Sequence, residues 1–139
     1  MTGWSFSACA SLGFAGGASP ALHHPVMIFD RDSWRIDTTL TTRRVVLDIR
    51  ATYPGKAIAV CDSGAIFCWR EGEWETMRSH TTANLRSIDM ESNTEGWAIG
   101  DRGTIVRCFK DTWAVAPSPT NRKLYSVNVA GISDEAWAV

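Results

Sequence analysis

Asp62-Ser63-Gly64 returns further along the chain as Asp101-Arg102-Gly103. A carboxylate that recurs in the same setting raises the question of acid–base chemistry. Each aspartate is followed by x-Gly, however, which is the chemistry of a turn: the Asp side chain bonds nearby backbone and the glycine supplies positive φ. A turn-stabilising role is therefore expected for both. His23 and His24 are the next candidates, as metal ligands. Adjacent side chains of a strand point to opposite faces, and in a loop the pair needs further ligands. Cys9, Cys61, Cys68 and Cys108 form no CxxC pair, and no histidine sits at ligand spacing from them. They fall inside apolar, strand-like runs, where a free thiol behaves as a small hydrophobe, and this favours a reducing compartment. No nucleophile elbow, phosphate loop or HExxH motif occurs. The reading is a non-catalytic chain with no cofactor and no metal.

The recurrence of the aspartates belongs to a larger pattern. The shift that lays Asp62 on Asp101 also carries Ala59, Gly64, Ile66 and Trp74 onto Ala98, Gly103, Ile105 and Trp113. In the same frame Val46 and Ile49 meet Leu85 and Ile88, then Leu124 and Val127. Trp34 precedes Trp74, and Trp97 precedes Trp137, by nearly the same interval. A period of about 40 marks propeller and solenoid repeats. Each unit offers four short runs rich in β-branched and aromatic residues; in the third they are LRSIDM (85–90), GWAIG (96–100), TIVRCF (104–109) and TWAVA (112–116). No sustained helical period is present. Four antiparallel strands per repeat describe a propeller blade. The blades are expected over 4–38, 45–78 and 85–116, with a partial one over 124–139. The fold class is all-β: a single β-propeller segment of about three and a half four-stranded antiparallel blades.

Bulk properties agree. The chain has 139 residues, 45% hydrophobic and 21% charged, as ordinary globular domains do. Its net charge of −1 gives no global attraction for nucleic acid, and no apolar run approaches the ~20 residues of a membrane-spanning helix. The segment MTGWSFSACASLGFAGGASPALHH has no Lys or Arg, and Gly and Ser interrupt its apolar residues. It reads as the first repeat rather than as a leader.

The pattern W-A-[VI]-G-D-x-G-x-I with a following tryptophan is carried by Trp97-Ala98-Ile99-Gly100-Asp101-Arg102-Gly103-Thr104-Ile105 and Trp113. It resembles the repeat of the photosystem II assembly factor family (Ycf48/HCF136-like) and, more broadly, the BNR/Asp-box class of β-propellers. The resemblance implies a propeller fold. Sialidase chemistry would require an arginine cluster and a tyrosine nucleophile; Tyr53, beside Pro54, and Tyr125, expected to begin a strand, are not placed for that role.

A propeller closes when its last blade packs on its first. Three and a half blades leave apolar faces and a strand edge open, so either the ring is expected to be completed by another chain or by further copies, or the chain is an excerpt of a longer one. With strands alternating up and down, one rim collects Arg43, Arg44, Arg78, Arg102, Arg122 and Lys123 against Asp37, Asp62 and Asp101, a net +3. The opposite rim collects Asp30, Asp32, Glu71, Glu73, Glu91, Glu95, Asp111, Asp134 and Glu135 against Arg31, Lys56, Arg70 and Lys110, a net −5. Such a dipolar disc orients an approaching partner, and the basic rim is the candidate dock for an acidic protein segment. Trp34, Trp74, Trp97, Trp113 and Trp137 recur at equivalent strand positions and are expected between blades; Trp4 and Trp69 lie outside that frame and are expected to be exposed. The function read from the sequence is a protein-interaction or assembly scaffold. The alternative is a glycan-binding, lectin-like propeller with sites between blades.

Overall fold

The computed structural model describes residues 5–9, 12–17, 26–52, 55–131 and 135–139. In chain order the strands are β1 (Ser5–Cys9), β2 (Leu12–Gly16), β3 (Val26–Asp30), β4 (Ser33–Ile36), β5 (Val46–Thr52), β6 (Lys56–Cys61), β7 (Ile66–Arg70), β8 (Glu73–Met77), β9 (Leu85–Met90), β10 (Gly96–Gly100), β11 (Ile105–Phe109), β12 (Thr112–Ala116), β13 (Val127–Ala130) and β14 (Glu135–Ala138). Within each sheet the strands pair antiparallel with their sequence neighbours, giving β1-β2-β3-β4, β5-β6-β7-β8 and β9-β10-β11-β12, and then the two-stranded β13-β14. Short connectors favour the pairing of successive strands within a sheet. The first strands of successive sheets touch one another, β1 with β5, β5 with β9 and β9 with β13. The sheets therefore fan about a common axis with the first strand innermost, as in a propeller: three complete blades and the inner half of a fourth.

Three of the four strands of the third blade coincide with the runs read from the sequence, and β11 differs by one residue because Thr104 donates its N–H to Asp101 in the preceding turn. β13 begins at Val127 rather than at Leu124. The N–H groups of Tyr125 and Ser126 converge on the single carbonyl of Val139, which breaks the regular ladder there. Tyr125 thus precedes its strand. Trp4, the connection 18–25 with His23 and His24, Tyr53 and Asp134 lie outside the described residues.

Buried side chains form three groups, one at each joint between blades. Phe14, Val26 and Ile28 meet Val46, Ile49, Ala57, Ala59 and Cys61 at the first joint. Ile58, Val60, Ile66 and Cys68 meet Leu85, Ile88, Ala98, Val106, Cys108 and Trp113 at the second. The third holds Ile99, Leu124 and Val127. β6 explains the pattern: all six of its residues are buried, Ala57 and Ala59 facing back and Ile58 and Val60 facing forward. A strand covered on both faces reads as a continuous apolar run, and its period of two assigns alternate residues to different joints.

The tryptophans divide by joint. Trp74 reaches back to Phe14, ring centroids 6.2 Å apart and nearly perpendicular, and Trp113 occupies the same place at the second joint. Trp69, expected to be exposed, packs edge-on against Phe14 at 5.2 Å. Alternation along β7 turns it toward the first blade beside Phe67. Trp34 and Trp137 depart from the expectation of packing between blades. They lie on the outward faces of the first blade and the half-blade and are 44% and 65% exposed.

Polar side chains close the axis. Ser7 Oγ accepts the Ala51 N–H at 2.9 Å, Asp48 Oδ2 that of Ile88 at 2.9 Å and Asp89 Oδ2 that of Val129 at 2.8 Å. Each innermost strand thus satisfies edge donors of the next, groups that would otherwise lie unpaired along the axis.

Candidate functional site

One rim is built by a repeated latch. The turns 62–64 and 101–103 join second to third strands, and each has two successive positive-φ residues: Ser63 and Gly64, Arg102 and Gly103. The glycines do more than supply φ. A Cβ at Gly64 would collide with the Thr81 carbonyl, and one at Gly103 with the Thr120 carbonyl. These carbonyls belong to linkers between a fourth strand and the next first strand, so turn and linker share this rim. Ser79 Oγ donates to the Gly64 carbonyl at 2.5 Å, adding a side-chain clasp.

The rim aspartates face this scaffold. Asp62 Oδ1 accepts the Val45 N–H at 2.8 Å. Asp101 accepts from Asn84 Nδ2 at 2.9 Å and pairs with the Arg86 guanidinium. That Arg86 hydrogen bond, with the Asn84 amide adding to it, holds the Asp101 carboxyl below the ordinary carboxylate value. Asp37 is fully buried; it accepts from the Thr39 N–H at 2.9 Å and from the Trp74 indole N–H. The three acids set against the rim cations are all engaged in holding the frame.

Arg43, Arg44, Arg78, Arg102, Arg122 and Lys123 are all exposed, and among the described residues none of them forms an ion pair. The structure sets them in turns and linkers of one rim without converging them on a single pocket. Arg78 lines a shallow groove of about 600 Å³ with Ser63, Ser79, His80 and Thr82. The pairing of Arg86 with Tyr125 was not read from the sequence. The Arg86 guanidinium lies 5.8 Å from the centroid of the Tyr125 ring, a partnership whose members belong to different repeats and carry no motif.

On the opposite rim a correction is needed. Lys56, counted there as a loop cation, is 5% exposed. Its ammonium pairs with Asp111 at 2.6 Å and donates to the Asn93 carbonyl, while Arg70 pairs with the other Asp111 oxygen at 2.8 Å. Burial alone would raise the Asp111 carboxyl, but the bonds from Lys56 and Arg70 outweigh it and hold it below its ordinary value. Cys61, Cys68 and Cys108 are buried and free. Burial, with the Asp62 charge adding to it, pushes the Cys61 thiol up to about 12, and burial pushes Cys108 up to about 11. Both stay neutral thiols near pH 7, a poor form for a nucleophile or a metal ligand. No cluster of three or more potential metal ligands occurs among the described residues.

The half-blade leaves a second open surface. Among the described residues β14 pairs with β13 alone. Beside it Trp97, Ile99, Ile105, Ala116, Pro117, Val127, Ala136 and Ala138 line a cleft of about 380 Å³.

No protein-family model matches the chain, and no curated protein matches it in sequence. Solved structures do match. YCF48 from Cyanidioschyzon merolae superposes with a TM-score of 0.72 at 15% identity, over 91% of this chain and 44% of that one. YCF48 bound to D1 peptide superposes with a TM-score of 0.71 at 13% identity, over 90% and 44%. The chain spans less than half the length of these proteins. At such identities the likeness is one of fold: three blades and a half of a YCF48-like β-propeller.

Proposed function

We propose that the chain is a non-catalytic protein-interaction and assembly scaffold whose basic rim docks an acidic segment of a partner protein. The observation that carries this reading is the asymmetry of the rim. Its acids are bonded inward or ion-paired, whereas Arg43, Arg44, Arg78, Arg102, Arg122 and Lys123 stand exposed, with no ion pair among the described residues. An anion approaching from that side meets an excess of positive charge, which raises encounter rate and fixes orientation. The YCF48 structure with a bound D1 peptide supports the class of activity, a propeller that holds a peptide. The packing of Trp74 and Trp113 between blades favours a scaffold over a surface that stacks sugars.

The test uses a fluorescent oligoglutamate peptide as probe, with anisotropy read as salt rises from about 0.05 to about 0.5 M, across which the Debye length shrinks severalfold. Affinity is expected to fall by about tenfold or more over that range. The quadruple charge reversal of Arg43, Arg44, Arg122 and Lys123 to Glu is expected to abolish binding while the thermal melt stays in place. Binding that ignores both salt and charge reversal, or no binding at low salt, would overturn the reading.

A further inference from the structure

We infer that the groove beside the 62–64 turn is a binding site for a phosphoserine carried by the acidic segment of the partner. The inference rests on the rim reading above and adds which group the segment presents and where it sits.

The two latches make the same contacts. Ser79 Oγ accepts the Thr81 N–H at 3.3 Å, and Thr81 Oγ1 that of Ala83 at 3.1 Å. One repeat later Ser118 Oγ accepts the Thr120 N–H at 3.4 Å, and Thr120 Oγ1 that of Arg122 at 3.1 Å. Thr81 and Thr120 then present their carbonyls to Gly64 and Gly103. What stands around the serine differs. The later linker has Pro117 and Pro119 on either side of Ser118, whereas the earlier has Arg78 and His80 on either side of Ser79.

Because the latch closes with two prolines, its geometry requires neither the guanidinium nor the imidazole. His80 moreover holds a φ of 62°, which a side chain adopts at a cost and which proline cannot reach. Strain that the frame does not need points to use.

The groove shows what the use is. Ser63, Arg78, His80 and Thr82 line an open space of about 600 Å³, and no carboxylate lines it with them. Ser79 and Thr81 are engaged by the latch. The side chains of the other four form no hydrogen bond or ion pair among the described residues. A guanidinium, an imidazole and two hydroxyls thus surround one concavity. A carboxylate offers two oxygens in a plane. A phosphoryl group carries three, pointing apart, with a charge of about −1.5 to −2 near pH 7, and can engage the guanidinium, the imidazole and a hydroxyl together through charge-assisted bonds. The groove is shallow, which suits the short stem of serine.

The probes are the peptides EEESEEE and EEEEEEE, and EEESEEE with its serine phosphorylated, titrated into the full chain at about 0.15 M salt. The phosphopeptide is expected to bind at least about tenfold more tightly than either of the others, and to shift the amide resonances of Ser63, Arg78, His80 and Thr82. Arg78→Gln, and His80→Pro, which installs the residue of the later linker, are each expected to cut that advantage to about threefold or less, with the thermal melt retained. Inorganic phosphate alone is expected to shift the same amides only at concentrations on the order of millimolar.

Binding of EEEEEEE with no gain from phosphorylation would overturn this inference and leave the rim reading standing. Failure of EEEEEEE while the phosphopeptide binds through Arg78 and His80 would overturn the rim reading and uphold the groove. A gain indifferent to both substitutions would overturn the inference, as would inorganic phosphate binding as tightly as the phosphopeptide, since the groove would then serve a free anion.

Discussion

Asp111 is the residue on which the second joint depends most sharply. A lysine as buried as Lys56 costs several kcal/mol unless its charge is paired and its donors are satisfied, and Asp111 supplies the opposing charge. Asp111→Ala is therefore expected to destabilise the protein by about 3 kcal/mol, read from urea unfolding. Adding Lys56→Met, an apolar residue of similar length, should recover most of the loss; failure to recover would show that the carboxylate acts otherwise than by neutralising the lysine. The pH dependence has a definite sign. The Asp111 carboxyl is held below its unfolded value of 3.8, so its stabilisation is complete above that value and is lost as pH falls through the folded one. The wild type should lose stability below about pH 4, and Asp111→Ala should lose less of it there. Nothing in the sequence pointed to this cluster. Lys56 and Asp111 are 55 residues apart, and a charged residue at a strand end ordinarily reads as solvated.

At the scale of elements, the turns and strands were written locally and were read accordingly. Period-two runs separated by Asp-x-Gly announce hairpins, and the repeat frame announces that they are stacked copies. What the sequence could not disclose is why the glycine recurs. Gly72 and Gly64 both have positive φ, at 93° and 74°, yet space is open around Gly72 whereas Gly64 sits against the Thr81 carbonyl. The two are distinguished by a linker that follows only after two more strands, which no local pattern reveals. Gly72→Ala is expected to cost about 1 kcal/mol of backbone strain, whereas Gly64→Ala adds a displaced linker and is expected to exceed about 2 kcal/mol. Equal losses in the two variants would mean that the latch yields freely. The rim cations were legible because charge in turns stays exposed; the inward engagement of Asp37, Asp62 and Asp101 was not, because it depends on partners brought by neighbouring segments.

At the scale of the whole molecule, stability is distributed unevenly along the ring. β6 is buried on both faces, while every residue of β14 is exposed. Amides of β6 are expected to exchange slowest, and those of β13 and β14 at least about a hundredfold faster. Uniform protection would show instead that the half-blade unfolds only with the rest. The three and a half four-stranded units were read from the repeat alone; the cleft that Ala136 and Ala138 line with Trp97 and Ile105 was not, because it forms between two units that no local pattern joins. The latches also carry a direction in time. Gly64 waits only for Thr81, in the linker that leaves its own blade, whereas Asp48 receives the N–H of Ile88, in the first strand of the next. In the second and third blades, then, the segment that meets the outer turn is made before the one that meets the axial aspartate, Thr81 before Ile88 and Thr120 before Val129.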